Sequence, residues 1–272
     1  IDVLLMEWTG ITPGSRYAIR VLMQYVIIGT GLAGYGLARE IRRYDSETPV
    51  ILITSDDGRS YSKPMLSTGY TKNTGPDDLA QQDAGGMGTQ LDAKVWTHTR
   101  VNEIDTQKQL LHVGEDATVI HYGKLVLALG SKVIEPPLGG DGMDYVYSVN
   151  DLMDYADFRA AMAENKARRV CIIGGGLIGC EFTNDLLNGG YEVEVVDPLG
   201  YCLPTLLPET AGKAVQAALA DQGAVFHFGA LATAVNRCDG GVVVTLDNGG
   251  TIAADLVVSA VGVRPRTELA QA

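Results

Sequence analysis

Apolar residues in this chain gather in short runs that are broken by polar, glycine-bearing stretches. Tyr25-Val-Ile-Ile28 is one such run, of strand length. It gives way to Gly29-Thr30-Gly31-Leu32-Ala33-Gly34, after which Leu37, Ala38 and Ile41 place apolar side chains on one helical face. Thr48-Pro49 punctuates the chain, and Val50-Ile-Leu-Ile-Thr54 forms a second apolar strand that ends at Ser55-Asp56-Asp57-Gly58. The pattern predicts strand, glycine turn, helix and strand, one βαβ unit. The same order recurs in Val170-Cys-Ile-Ile173, Gly174-Gly-Gly176-Leu177-Ile178-Gly179, a helix through Leu187, and Tyr191-Glu-Val-Glu-Val-Val-Asp197.

A GxGxxG motif alone is weak evidence, but here each copy follows an apolar strand, opens a helix and precedes another strand. In that context the first Gly permits the tight turn, the second lets backbone approach a pyrophosphate, and the third allows close helix packing. The helix start adds N–H groups that suit phosphate charge. The candidate dinucleotide-binding residues are therefore Gly29, Thr30, Gly31, Leu32, Ala33 and Gly34 in the first turn, and Gly174, Gly176, Leu177, Ile178 and Gly179 in the second.

In the second unit Asp197 closes the strand about 20 residues past the turn, where a carboxylate accepts hydrogen bonds from the adenosine ribose. A carboxylate disfavours a 2′-phosphate, and Pro198-Leu199-Gly200 supplies no Arg to neutralise one, so NADH is expected over NADPH. The alternative is a solvated strand-end Asp. In the first unit Asp56 is the candidate acid, with a turn-forming role at Asp57-Gly58 as the alternative reading.

The chain's 272 residues suit two domains of about 100–150 residues each. Apolar residues at 46% and charged residues at 20% describe an ordinary globular composition, and the 33 glycines include the clusters after apolar runs. A formal net charge of −12 argues against nucleic acid and anionic membrane surfaces as partners. Cys171, Cys180, Cys202 and Cys238 show no metal-ligand or CxxC spacing, which fits a reducing cytoplasm, and no metal site is expected. No apolar run is long enough to span a bilayer. Residues 1–22 lack the pattern of a signal peptide and read as an unassigned extension ahead of Met23. The four histidines, His98, His112, His121 and His227, are isolated in sequence and read as surface or strand residues.

Five stretches stand in a characteristic order: Gly29 to Gly34, Tyr61-Ser-Lys-Pro-Met-Leu-Ser67, Leu125-Val-Leu-Ala-Leu-Gly130, Gly174 to Glu181, and Asp255-Leu-Val-Val-Ser-Ala-Val-Gly262. In that order the chain, over about residues 23–272, resembles the FAD-dependent pyridine nucleotide-disulfide oxidoreductases. The resemblance implies an α/β protein with two Rossmann-like dinucleotide-binding domains, the glutathione-reductase-type FAD/NAD-binding fold. FAD would occupy the first turn and NADH the second. The expected domains are an FAD-binding domain over 23–143, an NAD-binding domain over 144–262, and a return to the first domain over 263–272.

The resemblance also assigns roles. The glycine-ended strands would carry the chain between domains, with Ala128 and Gly130 near FAD and Gly262 near the nicotinamide. Lys63-Pro64 would lie along the isoalloxazine ring, where a cation stabilises negative charge on the reduced ring. Glu181 would face the ring from the nicotinamide side, and a Lys63–Glu181 ion pair at the hydride-transfer site follows. A surface Lys and an ordinary first-turn helix Glu are the alternatives. Val101 resembles the strand residue whose backbone reads the adenine of FAD, and Lys132 stands where an Arg often follows the first glycine-ended strand.

Family members that reduce disulfides carry a CxxxxC pair on the helix after the first turn, or one Cys soon after the second strand. The helix at 35–44 has no Cys here, and Ser67-Thr68-Gly69 stands where the second could be. Cys171 and Cys180 read as small apolar packing residues. Without a thiol relay, a one-electron carrier protein is the natural acceptor, and the resemblance implies rubredoxin or a similar small iron electron carrier. Arg39, Arg42 and Arg43 are candidates for a basic docking patch, with a solvated helix face as the alternative. The family's closing Gly-Asp strand and C-terminal interface domain are missing before Ala272. Three readings stay open: an NADH-dependent rubredoxin-type reductase, a ferredoxin reductase of an oxygenase system, and a non-catalytic dinucleotide-binding fragment.

Overall fold

The computed structural model describes residues 23–116 and 118–271; the expected extension over 1–22 lies outside them. The chain packs as two compact units. The described residues of the first are 23–60, 81–116, 118–130 and 266–271, and the second holds 61–80 and 131–265.

The first unit is built on β1 (Tyr25–Ile28), β2 (Val50–Ile53), β3 (Ala93–Trp96) and β4 (Lys124–Leu127). All run parallel in the order β3-β2-β1-β4, with Val26 opposite Ile51 on one side and Leu125 on the other. Alternation splits these strands between two cores. Ile27, Val50 and Leu52 pack with Tyr35 and Ala38 of α1 (Leu32–Tyr44) and with Met87 and Leu91 of α2 (Ala84–Leu91). Val26, Ile28, Ile51 and Ile53 pack with Val101, Leu111, Val113 and Ile120 of an antiparallel three-stranded layer over 101–121. Each Val, Leu, Ile or Met side chain so buried contributes about 1.5–3 kcal/mol of transfer free energy.

The arginines of α1 serve the unit itself. The Arg42 guanidinium donates to the carbonyls of Leu91, Asp45, Thr48 and Asp92 at 2.6–3.0 Å, tying the ends of α1 and α2 to the approach of β2. Arg43 pairs with Glu40 at 2.9 Å. The expected basic docking patch therefore loses Arg42 to a structural role.

The second unit repeats the plan with β5 (Val146–Tyr147), β6 (Arg169–Ile173), β7 (Glu192–Asp197), β8 (Val225–Phe228) and β9 (Leu256–Ser259), parallel in the order β5-β9-β6-β7-β8. Val170, Ile172, Val193, Val195, Leu256 and Val258 meet α3 (Leu152–Glu164) and α4 (Leu177–Asn188) through Tyr155, Phe158, Phe182 and Leu186. Cys171, Ile173, Val196 and Val257 meet an antiparallel layer over 232–254. A further helix, α5 (Glu209–Asp221), follows β7.

The unit limits differ from those expected at 143/144 and 262/263. The chain changes unit after Gly130 and again after Pro265, because Ser131–Val133 and Val263–Pro265 pair as an antiparallel ribbon within the second unit. Residues 61–80 also belong there. Leu66 and Leu79 sit in the α3 core, and the fully buried Asp185 carboxylate accepts the backbone N–H groups of Tyr70 (3.1 Å) and Thr71 (2.7 Å).

Asp255, just ahead of β9, accepts the N–H groups of Arg168 (2.7 Å) and Arg169 (2.9 Å) and pairs with the Arg169 guanidinium at 2.6 Å. Burial alone would raise its pKa, but these bonds outweigh burial and hold the carboxyl below its ordinary range. A lowered carboxyl stabilises the fold fully above the unfolded carboxylate pKa of about 3.9, and that stabilisation fades as pH falls through the folded value. Asp255→Asn is expected to cost about 1–3 kcal/mol at pH 7, measured by urea unfolding. The gap to the parent should narrow as pH falls below the unfolded carboxylate value of about 3.9.

Candidate functional site

Each parallel sheet reverses its strand order at the strand that precedes a glycine turn, because β1 lies between β2 and β4, and β6 between β7 and β9. Ligands of open α/β sheets bind at the carboxyl end of the strand where the order reverses. Both glycine turns fall there.

The glycines divide the work as their neighbours dictate. Gly29 and Gly174 take φ of +112° and +113°, which favours residues without a Cβ. A Cβ on Gly29 would lie 2.1 Å from the Ala128 carbonyl oxygen, and one on Gly174 would lie 2.6 Å from that of Ala260. A Cβ on Gly34 or Gly179 would lie 1.9 Å from the carbonyl oxygen of Gly29 or Gly174. At Gly31 and Gly176 a Cβ would meet nothing within 4 Å. These middle glycines are the N-cap residues of α1 and α4, and no side chain caps either helix. Each helix thus begins against open space, with Leu32 and Leu177 exposed in its first turn. A bare helix start beside open space fits an anionic group such as a pyrophosphate.

An acid reaches back to each corner. Asp56 Oδ1 accepts from Thr54 Oγ1 at 2.6 Å and the Gly58 N–H at 2.9 Å, and it lies 3.4 Å from Thr30 Oγ1. Asp197 is buried; its Oδ2 accepts the Gly175 N–H at 2.6 Å and its Oδ1 the Leu199 N–H at 2.7 Å. Neither is a solvated strand-end residue: each helps to shape the turn it was paired with from sequence. Gly175 and Thr54 were missed as partners, and nothing in their local sequence marks them out.

Lys63 and Glu181 share the second unit. Lys63 opens the 3₁₀ turn Lys63–Ser67, and its ammonium donates to Asn150 Oδ1 at 2.7 Å and lies 3.4 Å from Ser131 Oγ. Asn150 is fixed in turn, since its amide donates to the Ser131 carbonyl at 2.9 Å and its N–H to Asp154 Oδ2 at 2.9 Å. Asp154 belongs to the capping box that starts α3, and burial raises its pKa. At the other end of the 3₁₀ turn, the Ser67 hydroxyl donates to Glu181 Oε2 at 2.9 Å. One short turn therefore bonds at its first residue to the Asn150 network and at its last to Glu181. Asn150, Ser131 and Ser67 were not found from sequence; their partners are 68 to 114 residues away along the chain.

The remaining candidates sit as follows. Pro64 is exposed in the 3₁₀ turn. Val101 begins the antiparallel layer and is buried in its core. Gly130, at φ +67°, accepts the Arg266 N–H, while Gly262, at φ +117°, accepts the Ile134 N–H. Lys132 is exposed opposite Arg264 in the ribbon. Among the described residues no group of His, Cys, Asp and Glu could hold a metal ion, and no helix is long and apolar enough to cross a membrane.

Two uncapped glycine corners, each at the switch point of its own parallel sheet, define a protein with two dinucleotide-binding folds. A profile of the pyridine nucleotide-disulphide oxidoreductases matches residues 23–272, and the chain belongs to that family. It is 51% identical over 247 residues to a rubredoxin-NAD(+) reductase of Alcanivorax borkumensis, and 40% identical over 250 residues to one of Acinetobacter baylyi. Both matches take in 90% of this chain, which spans 64% of the length of each relative. A ferredoxin reductase from Rhodopseudomonas palustris superposes with a TM-score of 0.80 at 28% identity, over 91% of this chain and 61% of that one.

The glycines separate stability from binding. Gly34→Ala and Gly179→Ala force backbone apart and are expected to cost about 1–3 kcal/mol or more in urea unfolding. Gly31→Ala and Gly176→Ala, which point into open space, should cost less than about 1 kcal/mol in the same measurement.

Proposed function

We propose that the chain is an NADH-dependent flavoprotein reductase that holds FAD at Gly29–Gly34 and NADH at Gly174–Gly179 and passes electrons to rubredoxin or a similar small iron carrier. The observation that carries the reading is the pair of uncapped helix starts, each facing open space where a side chain would otherwise stand. Bound FAD would supply the chemistry that the protein's side chains lack: taking two electrons together as one hydride and releasing them one at a time.

The residues have the following tasks. First-turn N–H groups of α1 and α4 hold the two pyrophosphates. Asp56 and Asp197 accept ribose hydroxyls with lone pairs left over from their turn bonds, and the Asp197 carboxylate repels a 2′-phosphate. Ala128, Gly130, Val101, Lys132 and Pro64 line the FAD side, and Gly262 lies near the nicotinamide. Lys63, steered by Asn150, sets a positive charge beside the ring, and Glu181, steered by Ser67, sets a carboxylate on the nicotinamide side. A direct Lys63–Glu181 ion pair belongs to the same proposal.

The names of the Alcanivorax borkumensis and Acinetobacter baylyi relatives support rubredoxin as acceptor. A second reading, a ferredoxin reductase, is favoured by the likeness to the Rhodopseudomonas palustris enzyme. The absence of redox cysteines at 35–44 and 67–69 supports both over a disulfide reductase.

The purified protein should be yellow, lose its flavin absorbance on addition of NADH and regain it on addition of rubredoxin; a colourless protein that takes up no FAD sinks the reading. Recovery with a [2Fe–2S] ferredoxin but not rubredoxin would establish the second. Lys63→Met and Glu181→Gln should each slow bleaching by NADH at least about tenfold, about 1.4 kcal/mol of barrier, in stopped flow. Asp197→Ala is expected to weaken NADH about 10–100-fold, as loss of charged hydrogen bonds worth about 1.5–3 kcal/mol requires.

A further inference from the structure

The amide of Asn150 sits where three stretches of the second unit meet. Asn150 is buried and stands immediately before Asp151, the N-cap residue of α3. Its own N–H donates to Asp154 Oδ2 at 2.9 Å, and that oxygen also takes the Asp151 N–H at 3.2 Å. Asp151 Oδ1 in turn accepts the N–H groups of Met153 and Asp154 at 3.0 and 2.9 Å. The helix start therefore fixes the Asn150 backbone independently of its side chain. The Tyr61 hydroxyl accepts the Leu152 N–H at 3.3 Å, so the segment that carries Lys63 is tied to the same helix start two residues earlier.

The side-chain bonds allow the amide one orientation. Nδ2 donates to the Ser131 carbonyl at 2.9 Å, while Oδ1 accepts from the Lys63 ammonium at 2.7 Å and lies 3.3 Å from Ser131 Oγ. Turned over, the amide would set its NH2 group against the ammonium and its oxygen against a carbonyl oxygen, two repulsions in place of two bonds. The place thus demands an acceptor toward Lys63 and a donor toward Ser131. Asn meets both demands and carries no charge. An Asp would still accept from Lys63, but its second oxygen would face the Ser131 carbonyl and its negative charge would lie against the ammonium. A carboxylate at that range cancels much of the field of an ammonium on its surroundings, whereas a neutral carbonyl dipole leaves most of it.

We propose that Asn150 is a positioning residue chosen for its neutrality: it tethers the Lys63 ammonium by an uncharged acceptor, fixing the lysine's place without adding a countercharge of its own. The start of α3 and the Ser131 carbonyl hold the tether, and the 3₁₀ turn Lys63–Ser67 receives it. The lysine then presents its charge from a defined point, and a bound flavin ring beside it would feel that charge undiminished by residue 150. The tether stands on the hydrogen bonds alone; only its effect on flavin rests on the proposed function.

In the full chain as purified, acylation of Lys63 by an amine reagent, read by mass spectrometry of its peptide, should run at least about threefold faster in Asn150→Ala than in the parent. Asn150→Asp, which keeps an acceptor, should label no faster than the parent. With FAD bound, Asn150→Ala should slow bleaching by saturating NADH about tenfold in stopped flow, and in the Lys63→Met background it should add no further loss. Asn150→Asp should lower the two-electron potential of the flavin by about 30 mV, a tenfold change in equilibrium constant. Asn150→Ser, whose hydroxyl is too short to reach the ammonium, should behave as Asn150→Ala and replaces it should that variant fold poorly. Unchanged labelling of Lys63 in Asn150→Ala or Asn150→Ser, a full second loss in the Lys63→Met background, or a parental potential in Asn150→Asp overturns the proposal. Faster labelling of Lys63 in a chain that takes up no FAD overturns the flavin reading instead and leaves the tether standing.

Discussion

The structure depends on one backbone contact made twice. The third glycine of each turn lies so close to the first that a single added carbon would fall 1.9 Å from a carbonyl oxygen. That contact lets the helix start directly over the end of its strand, with its cap residue facing open space rather than protein. Helix dipole and N–H groups are thereby aimed at a place that water or an anionic ligand can fill.

The surrounding sheets make such a contact possible. A parallel strand buried on both faces must be apolar throughout, and β1 and β6 are, with alternate residues given to helices and to an antiparallel layer. Helices on one face and strands on the other fix each sheet against sliding, so the carboxyl ends of the central strands stay in register. The acids Asp56 and Asp197 then bond back to the turns. They stiffen the corners and retain lone pairs for a ligand.

The second unit carries more of the candidate chemistry than its share of motifs suggests. The 3₁₀ turn Lys63–Ser67 is packed on α3 and α4, held by Asp185 at Tyr70 and Thr71 and by Leu66 in the core. Lys63, Asn150, Ser67 and Glu181 are consequently fixed by the same set of helices.

The local sequence determined a good deal. Strand, turn and helix follow from short-range physics: apolar runs that must be buried, glycines where φ is positive or a Cβ has no room, and helical spacing at Leu37, Ala38 and Ile41. Both corners and the acids beside them were therefore legible. What tertiary structure alone decided was pairing at long range. That Asn150 takes Lys63, that Ser67 takes Glu181, that Arg42 is consumed by carbonyls at the end of α2, and that 61–80 packs with the second unit all depend on where distant strands bring their ends. Hydrogen bonds between residues roughly a hundred positions apart leave no periodicity behind, because each is made by one side chain whose neighbours in sequence face elsewhere.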